Sequence, residues 1–248
     1  MDFVLLHGTT QTPRGWDLLA RELTGHRVFA ADLLDGADTS TVPAIAASVR
    51  RALPDVREPV VVAHSGSGVL LPAVAAALGA SRLVWVGAYI PDFAGGRSLA
   101  EEAAADVTAM FHREWVGVDP TRDPALADRF LFHDCPPDVR EWAHGTLRLF
   151  HPPALPAHPA GPVPGIPSTV VVPTADRTLR PDWMARAARE RLGVEPVELD
   201  AGHCPHVSRP AELARLGGGG GGGFVDGVDP PPTPGGGGGR GPPRERAA

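Results

Sequence analysis

Val60-Val61-Val62-Ala63-His64-Ser65-Gly66-Ser67-Gly68 runs four apolar residues almost straight into a serine set among small neighbours. An apolar run without alternation is buried on both faces, as the strands of a parallel sheet are. A helical pattern over Gly66–Leu78 follows at once, so a buried strand turns directly into a helix at Ser65. A strand-to-helix turn this sharp lifts a hydroxyl clear of the sheet, and crowding demands small residues two before and two after it. Ala63 and Ser67 meet that demand, whereas a turn centred on Ser67 would put Val69 in the crowded place. The blander reading is a Ser-Gly turn that caps a helix.

Outward from this stretch, short apolar runs recur at Phe3–Leu6, Arg27–Ala31, Leu83–Val86, Thr169–Val172 and Val197–Leu199. Between them Pro13–Leu23, Pro43–Leu53 and Pro181–Leu192 repeat apolar residues at helical spacing, with Pro181 suited to a first helical turn. Strand–helix alternation predicts an α/β fold with a doubly wound, mostly parallel sheet. The alternation stops over about 91–167. Helical patches at Leu99–Trp115, Ala125–Phe132 and Asp138–Phe150, then a Pro-rich connector at His151–Pro167, predict a helical insertion over one end of the sheet. Phe111, Trp115, Phe130, Phe132, Trp142 and Phe150 either pack this insertion or line an apolar pocket.

Of the 248 residues, 30 are Gly and 28 Pro, and 217–248 holds 14 of the Gly and 6 of the Pro. Such a segment cannot offset its ordering entropy by burial, so a disordered tail is expected there. It interrupts the helix opened by Pro210-Ala211-Glu212-Leu213. Residues 1–216 then form one domain, long enough to bury roughly 70% of the surface of the unfolded chain. No lysine occurs, which excludes a Walker A loop and Schiff-base chemistry. No asparagine occurs either, and the all-arginine, alanine-rich usage points to a GC-rich bacterial genome. A net charge of −6 offers no electrostatic footprint for nucleic acid. Cys135 and Cys204 are too few for a disulfide framework, and no apolar run nears the ~20 residues that span a membrane. Met1-Asp2-Phe3-Val4-Leu5-Leu6 does not read as a signal peptide, so a cytoplasmic protein is expected.

Three further stretches bear on Ser65. Leu5-Leu6-His7-Gly8-Thr9-Thr10 follows the first strand, and in a sheet that reverses direction between its first and third strands those two ends lie side by side. The backbone N–H of Thr9 could then join that of Gly66 as an oxyanion hole. Val170-Val171-Val172-Pro173-Thr174-Ala175-Asp176-Arg177 places an acid just past a later strand, and Glu198-Leu199-Asp200-Ala201-Gly202-His203 places a histidine past the last. A serine hydroxyl is a weak nucleophile until a histidine takes its proton, and the histidine needs a carboxylate to fix its tautomer. Asp176 is favoured over Asp92, which also follows a strand, and His203 over His206. A zinc site at His203-Cys204-Pro205-His206 lacks a second cluster, so no metal and no cofactor are expected.

Taken together these residues resemble the α/β-hydrolase superfamily over about residues 2–216. The matching pieces are His7-Gly8-Thr9 with Trp16 downstream, Ala63-His64-Ser65-Gly66-Ser67-Gly68, Asp176-Arg177, and Gly202-His203 followed by Pro205, His206, Ser208, Arg209 and Pro210. Phe132-His133-Asp134-Cys135-Pro136-Pro137 is similar to the branch of small bacterial hydrolases related to plant methylesterases and hydroxynitrile lyases. The resemblance implies six core strands and a helical lid over Ser65. Ala63 and Ser67 depart from it by standing where that family usually has Gly. The expected function is a serine hydrolase of a small, largely apolar carboxylic ester, with Ser65, Asp176 and His203 catalytic and Thr9 and Gly66 as oxyanion donors. Its expected partner is the ester substrate alone, without nucleic acid or membrane. A cyanohydrin lyase of the plant type would need a Lys beside the triad, which this chain lacks. Thioester hydrolysis and perhydrolysis use the same residues, and a non-catalytic ligand binder is the rival from another class.

Overall fold

The computed structural model describes residues 1–218. Its centre is a six-stranded, all-parallel sheet in the order β2-β1-β3-β4-β5-β6. The strands are β1 (Asp2–Leu6), β2 (Arg27–Ala31), β3 (Val60–His64), β4 (Arg82–Val86), β5 (Ser168–Pro173) and β6 (Val197–Leu199). Every apolar run read from the sequence as a strand is one. Alternate residues along a strand feed opposite faces. Val4, Leu6, Val61, Ala63, Leu83 and Trp85 join one apolar core, and Phe3, Leu5, Val60, Val62, Val84 and Val86 the other. Each fully buried Val or Leu contributes about 1.5–3 kcal/mol, and that double burial explains runs without polar alternation.

Helices α1 (Asp17–Glu22), α2 (Val42–Ala52) and α3 (Leu71–Leu78) lie among the first four strands, and α8 (Pro181–Ala187) follows β5. Ile45, Val74 and Met184 of α2, α3 and α8 cover one face of the sheet, while Leu19 of α1 and Leu213 of α10 (Pro210–Gly218) cover the other. The short α9 (Pro205–Ser208) precedes α10. Proline opens several of these helices, where its missing N–H costs nothing.

Two expected helices are divided. The one expected over Gly66–Leu78 begins as a 3-10 turn, Ser65–Val69, and restarts as α3 because Pro72 suits only a first turn. The one expected over Pro181–Leu192 ends in a π-helical turn, Ala188–Leu192. At the C-terminus, α10 continues two residues past the expected boundary, to Gly218. The rest of the expected tail, 219–248, lies outside the described residues.

Between β4 and β5 stand α4 (Leu99–Met110), α5 (Pro124–Phe130), α6 (Pro137–His144) and α7 (Ala154–Ala157). Helix α4 starts on a reciprocal Ser98–Glu101 capping box and is interrupted at Asp106. The inserted segment is tied to the loop after β1 by its stretch between α6 and α7. Phe150 N–H donates to the Thr9 carbonyl (2.7 Å), Arg148 N–H to that of Thr10 (3.1 Å), and Thr12 N–H to that of Thr146 (2.8 Å). Phe130, Phe132 and Phe150 are buried, the last edge-on to His7. None of the six aromatics singled out in this insertion lines the cavity of about 410 Å³ whose walls include Val69, Ala73, Tyr89, Phe93 and Ile166. Phe130 borders another of about 230 Å³, beside His112, Arg129 and Arg177.

Candidate active site

Leu6 pairs with Ala63 in the register of β1 and β3, so the His7-Gly8-Thr9 loop and Ser65 emerge side by side where strand order reverses. Ser65 holds φ at +56°, a left-handed conformation that costs an L residue about 1–3 kcal/mol and persists only where surroundings enforce it. They do so here. The Ser65 carbonyl accepts the Tyr89 N–H (3.0 Å), and Gly68 passes so close to Tyr89 that a Cβ would stand 1.8 Å from its carbonyl oxygen. Ser67, in the crowded position, is fully buried, and its hydroxyl donates to the His7 carbonyl. That bond ties the turn to the loop after β1, which a glycine there would not do.

His203 Nε2 lies 3.0 Å from Ser65 Oγ, and His203 Nδ1 lies 2.7 Å from Asp176 Oδ2. The histidine and aspartate side chains are 2% and 0% exposed, whereas Ser65 is half-buried. A carboxylate so enclosed needs donors around it. Asp176 Oδ1 accepts the N–H groups of Thr178 (2.7 Å) and Leu179 (3.1 Å) and the Thr178 hydroxyl (3.0 Å). Thr178 Oγ1 also stands 2.8 Å from His203 Nδ1. The other two candidates are engaged elsewhere. Asp92 accepts from Arg97 Nε (2.7 Å) and Gly95 N–H (3.1 Å), and His206 Nε2 meets Gln11 Oε1 at 3.1 Å.

Gly66 is in the first turn of the 3-10 segment, where an N–H has no partner within the helix. A Cβ on Gly66 would stand 2.7 Å from Thr9 Cγ2, so the Thr9 side chain lies against Gly66 beside Ser65. All three residues are half-buried. The two residues expected to donate to an oxyanion are thus partly exposed, as Ser65 is, whereas His203 and Asp176 are sealed.

Behind His203 lies a group of imidazoles. The His64 ring is 4.6 Å from that of His203 and 4.5 Å from that of His206, which packs on Trp16 at 4.3 Å. His64 Nε2–H donates to the His203 carbonyl oxygen (2.9 Å). Burial, with His206 and His203 adding to it, pushes the His64 pKa well below 6.5, and burial takes His206 down to about 3. Burial likewise lowers His7 to about 4, and its ring accepts the Leu33 N–H (3.2 Å). Neutral imidazoles therefore flank His203 at neutral pH. Both cysteines are free, and burial pushes Cys135 up to about 12 and Cys204 well above its usual value. Among the described residues no group of three or more His, Cys, Asp or Glu could hold a metal ion. Nor is any described helix long and apolar enough to cross a membrane.

Sequence reasoning did not single out Thr178 or His64. The Asp176-Arg177-Thr178 spacing is that of an Asx turn, a signal that could have found the threonine. Nothing local marks His64, whose partner is 139 residues away.

A doubly wound parallel sheet that presents a strained serine at its switch point, in contact with a histidine and through it a carboxylate, is the architecture of proteins built on a nucleophile elbow. This chain belongs to the alpha/beta hydrolase family, whose model matches residues 3–216. Among solved structures it is similar to polyneuridine aldehyde esterase, at 19% identity and a TM-score of 0.67 over 86% of this chain and 95% of that one. A methylesterase from Arabidopsis aligns at 16% identity and a TM-score of 0.65, over 86% and 95% of the two chains. A pyrethroid hydrolase from Sphingobium faniae aligns at 19% and 0.66, over 86% and 94%. At these identities the likeness is one of fold. Among curated proteins, none matches.

Proposed function

We propose that this chain is a serine hydrolase of carboxylic esters, acting through Ser65, His203 and Asp176. The observation that carries the reading is the unbroken contact from Ser65 Oγ through both ring nitrogens of His203 to a buried carboxylate (3.0 and 2.7 Å), on a serine held in left-handed backbone. His203 Nε2 takes the hydroxyl proton as Ser65 Oγ attacks the acyl carbon. Asp176 keeps the Nδ1–H tautomer and stabilises the imidazolium. The N–H groups of Thr9 and Gly66 receive the oxyanion, donors typically worth about 2.7–4 kcal/mol each. Collapse returns the proton from His203 to the departing alcohol and leaves an acyl-Ser65. Water, deprotonated by His203, attacks that acyl group and releases the acid and the free serine. Esterases among its structural neighbours support the class of leaving group. The test is pre-steady-state hydrolysis of p-nitrophenyl esters of graded acyl length, beside a matching thioester series. A burst of p-nitrophenol equal to the enzyme present, absent from Ser65→Ala, is expected. Turnover undiminished in Ser65→Ala overturns the assignment, and no turnover of any ester by folded wild type favours a ligand binder.

A further inference from the structure

The segment just before α6 reaches back to both loops that carry the histidine and the aspartate. His133 Nε2–H donates to the carbonyl of Ala175 (3.1 Å), the residue before Asp176. Asp134 Oδ2 accepts the N–H of Gly202 (2.7 Å), the residue before His203. Two successive side chains thus hold the two backbones immediately upstream of the acid and the base. The approach is tight enough to dictate a residue type. A Cβ on Gly202 would stand 2.5 Å from Asp134 Oδ1 and 2.9 Å from His133 Nε2, so only glycine fits beneath the pair.

The pair is itself braced. Arg209, just past α9, donates to the Asp134 carbonyl (3.3 Å) and lies 3.9 Å from its carboxylate. Phe132 and Cys135 on either side are buried in one apolar cluster with Cys204 and Val207. Ala175 N–H also donates to the Ala201 carbonyl (3.0 Å), so the loops after β5 and β6 already touch and His133-Asp134 closes over the junction.

We propose that His133 and Asp134 are positioning residues, a clamp by which the inserted helical segment sets the placement of Asp176 and His203 for the reaction. It rests on the triad reading given above. The inserted segment then fixes the geometry of the catalytic pair. A misplacement of about 1 Å at a base costs rate of order a hundredfold while leaving substrate binding untouched.

The test compares Asp134→Ala, Asp134→Asn and His133→Ala with wild type in kcat, KM and second-order labelling by a fluorophosphonate, each variant first shown folded by its thermal melt. Asp134→Ala is expected to lower kcat and the labelling rate by about ten- to a hundredfold with KM within about twofold. Asp134→Asn keeps an oxygen to accept the Gly202 N–H and is expected to restore kcat to within about threefold of wild type, which a charge role would not allow. His133→Ala is expected to lower kcat several-fold at unchanged KM, and it decides the matter should Asp134→Ala fail to fold. Full-rate, Ser65-dependent labelling in Asp134→Ala, or in His133→Ala where that variant decides, overturns the clamp alone. Labelling that persists in Ser65→Ala overturns the triad reading and the clamp with it.

Discussion

Thr178 occupies an unusual place for a side chain outside the proposed triad, since its hydroxyl contacts Asp176 Oδ1 (3.0 Å) and His203 Nδ1 (2.8 Å) at once. A hydrogen bond to a charged group contributes about 1.5–3 kcal/mol, and 1.4 kcal/mol is tenfold in rate. Thr178→Val, close in volume but without the hydroxyl, is therefore expected to lower kcat about tenfold, and Thr178→Ser to recover most of it. Ester turnover by the three proteins checks this, and an undiminished Thr178→Val would place the threonine outside the machinery. Ser65, Asp176 and His203 could be singled out from sequence because each stands within a few residues of the end of a run read as a strand, where the chain leaves the sheet at its C-terminal edge. Thr178 was within reach of the same reading, two residues past Asp176, but His64 and Asp134 were not. Their partners are set by how distant loops meet, and a contact spanning 139 residues leaves no local pattern.

At the scale of elements, the turn after β3 is held by backbone against backbone rather than by its side chains. Gly68→Ala would drive a Cβ to 1.8 Å from the Tyr89 carbonyl oxygen, which no rotamer relieves. It is expected to cost at least about 3 kcal/mol, the upper range for overpacking, and to remove activity. Gly161, with open space around it and no left-handed φ, is the control. Gly161→Ala is expected to melt within a degree or two of wild type, and similar melts for both variants would refute the packing argument. The inner strands were legible because burial on both faces leaves almost nothing polar in the run, and the part-exposed edge strands β2 and β6 from their short apolar runs. Helix limits were less so: Pro72 divides a pattern that periodicity alone reads as continuous. The inserted segment was legible only as helical, because its docking depends on main-chain bonds from Phe150, Arg148 and Thr146 to a loop more than 130 residues earlier.

Across the whole molecule, burial of neutral histidines couples stability to pH. The pKa values of His7, His64 and His206 all lie below 6.5 in the folded chain, near 4 for His7 and 3 for His206, while the unfolded chain retains about 6.5. Between those values the unfolded state binds more protons, so stability is full above pH 6.5 and falls as pH drops toward the folded values. At pH 5.5 His7 and His206 together remove about 2–3 kcal/mol relative to pH 7.5, and His64 acts in the same direction. Urea unfolding at the two pH values measures this, with His206→Gln expected to reduce the difference by about 1 kcal/mol. A pH-independent midpoint would contradict the burial of these rings as neutral groups. The same enclosure leaves Ser65 as the partly exposed member of the three and His203 and Asp176 sealed behind it. One measurement tests that arrangement most directly: reaction with a fluorophosphonate, then peptide mass mapping of wild type and Ser65→Ala. The account predicts one adduct per chain, on Ser65, and none in the variant. An adduct on another residue, or folded wild type that remains unmodified, would contradict it.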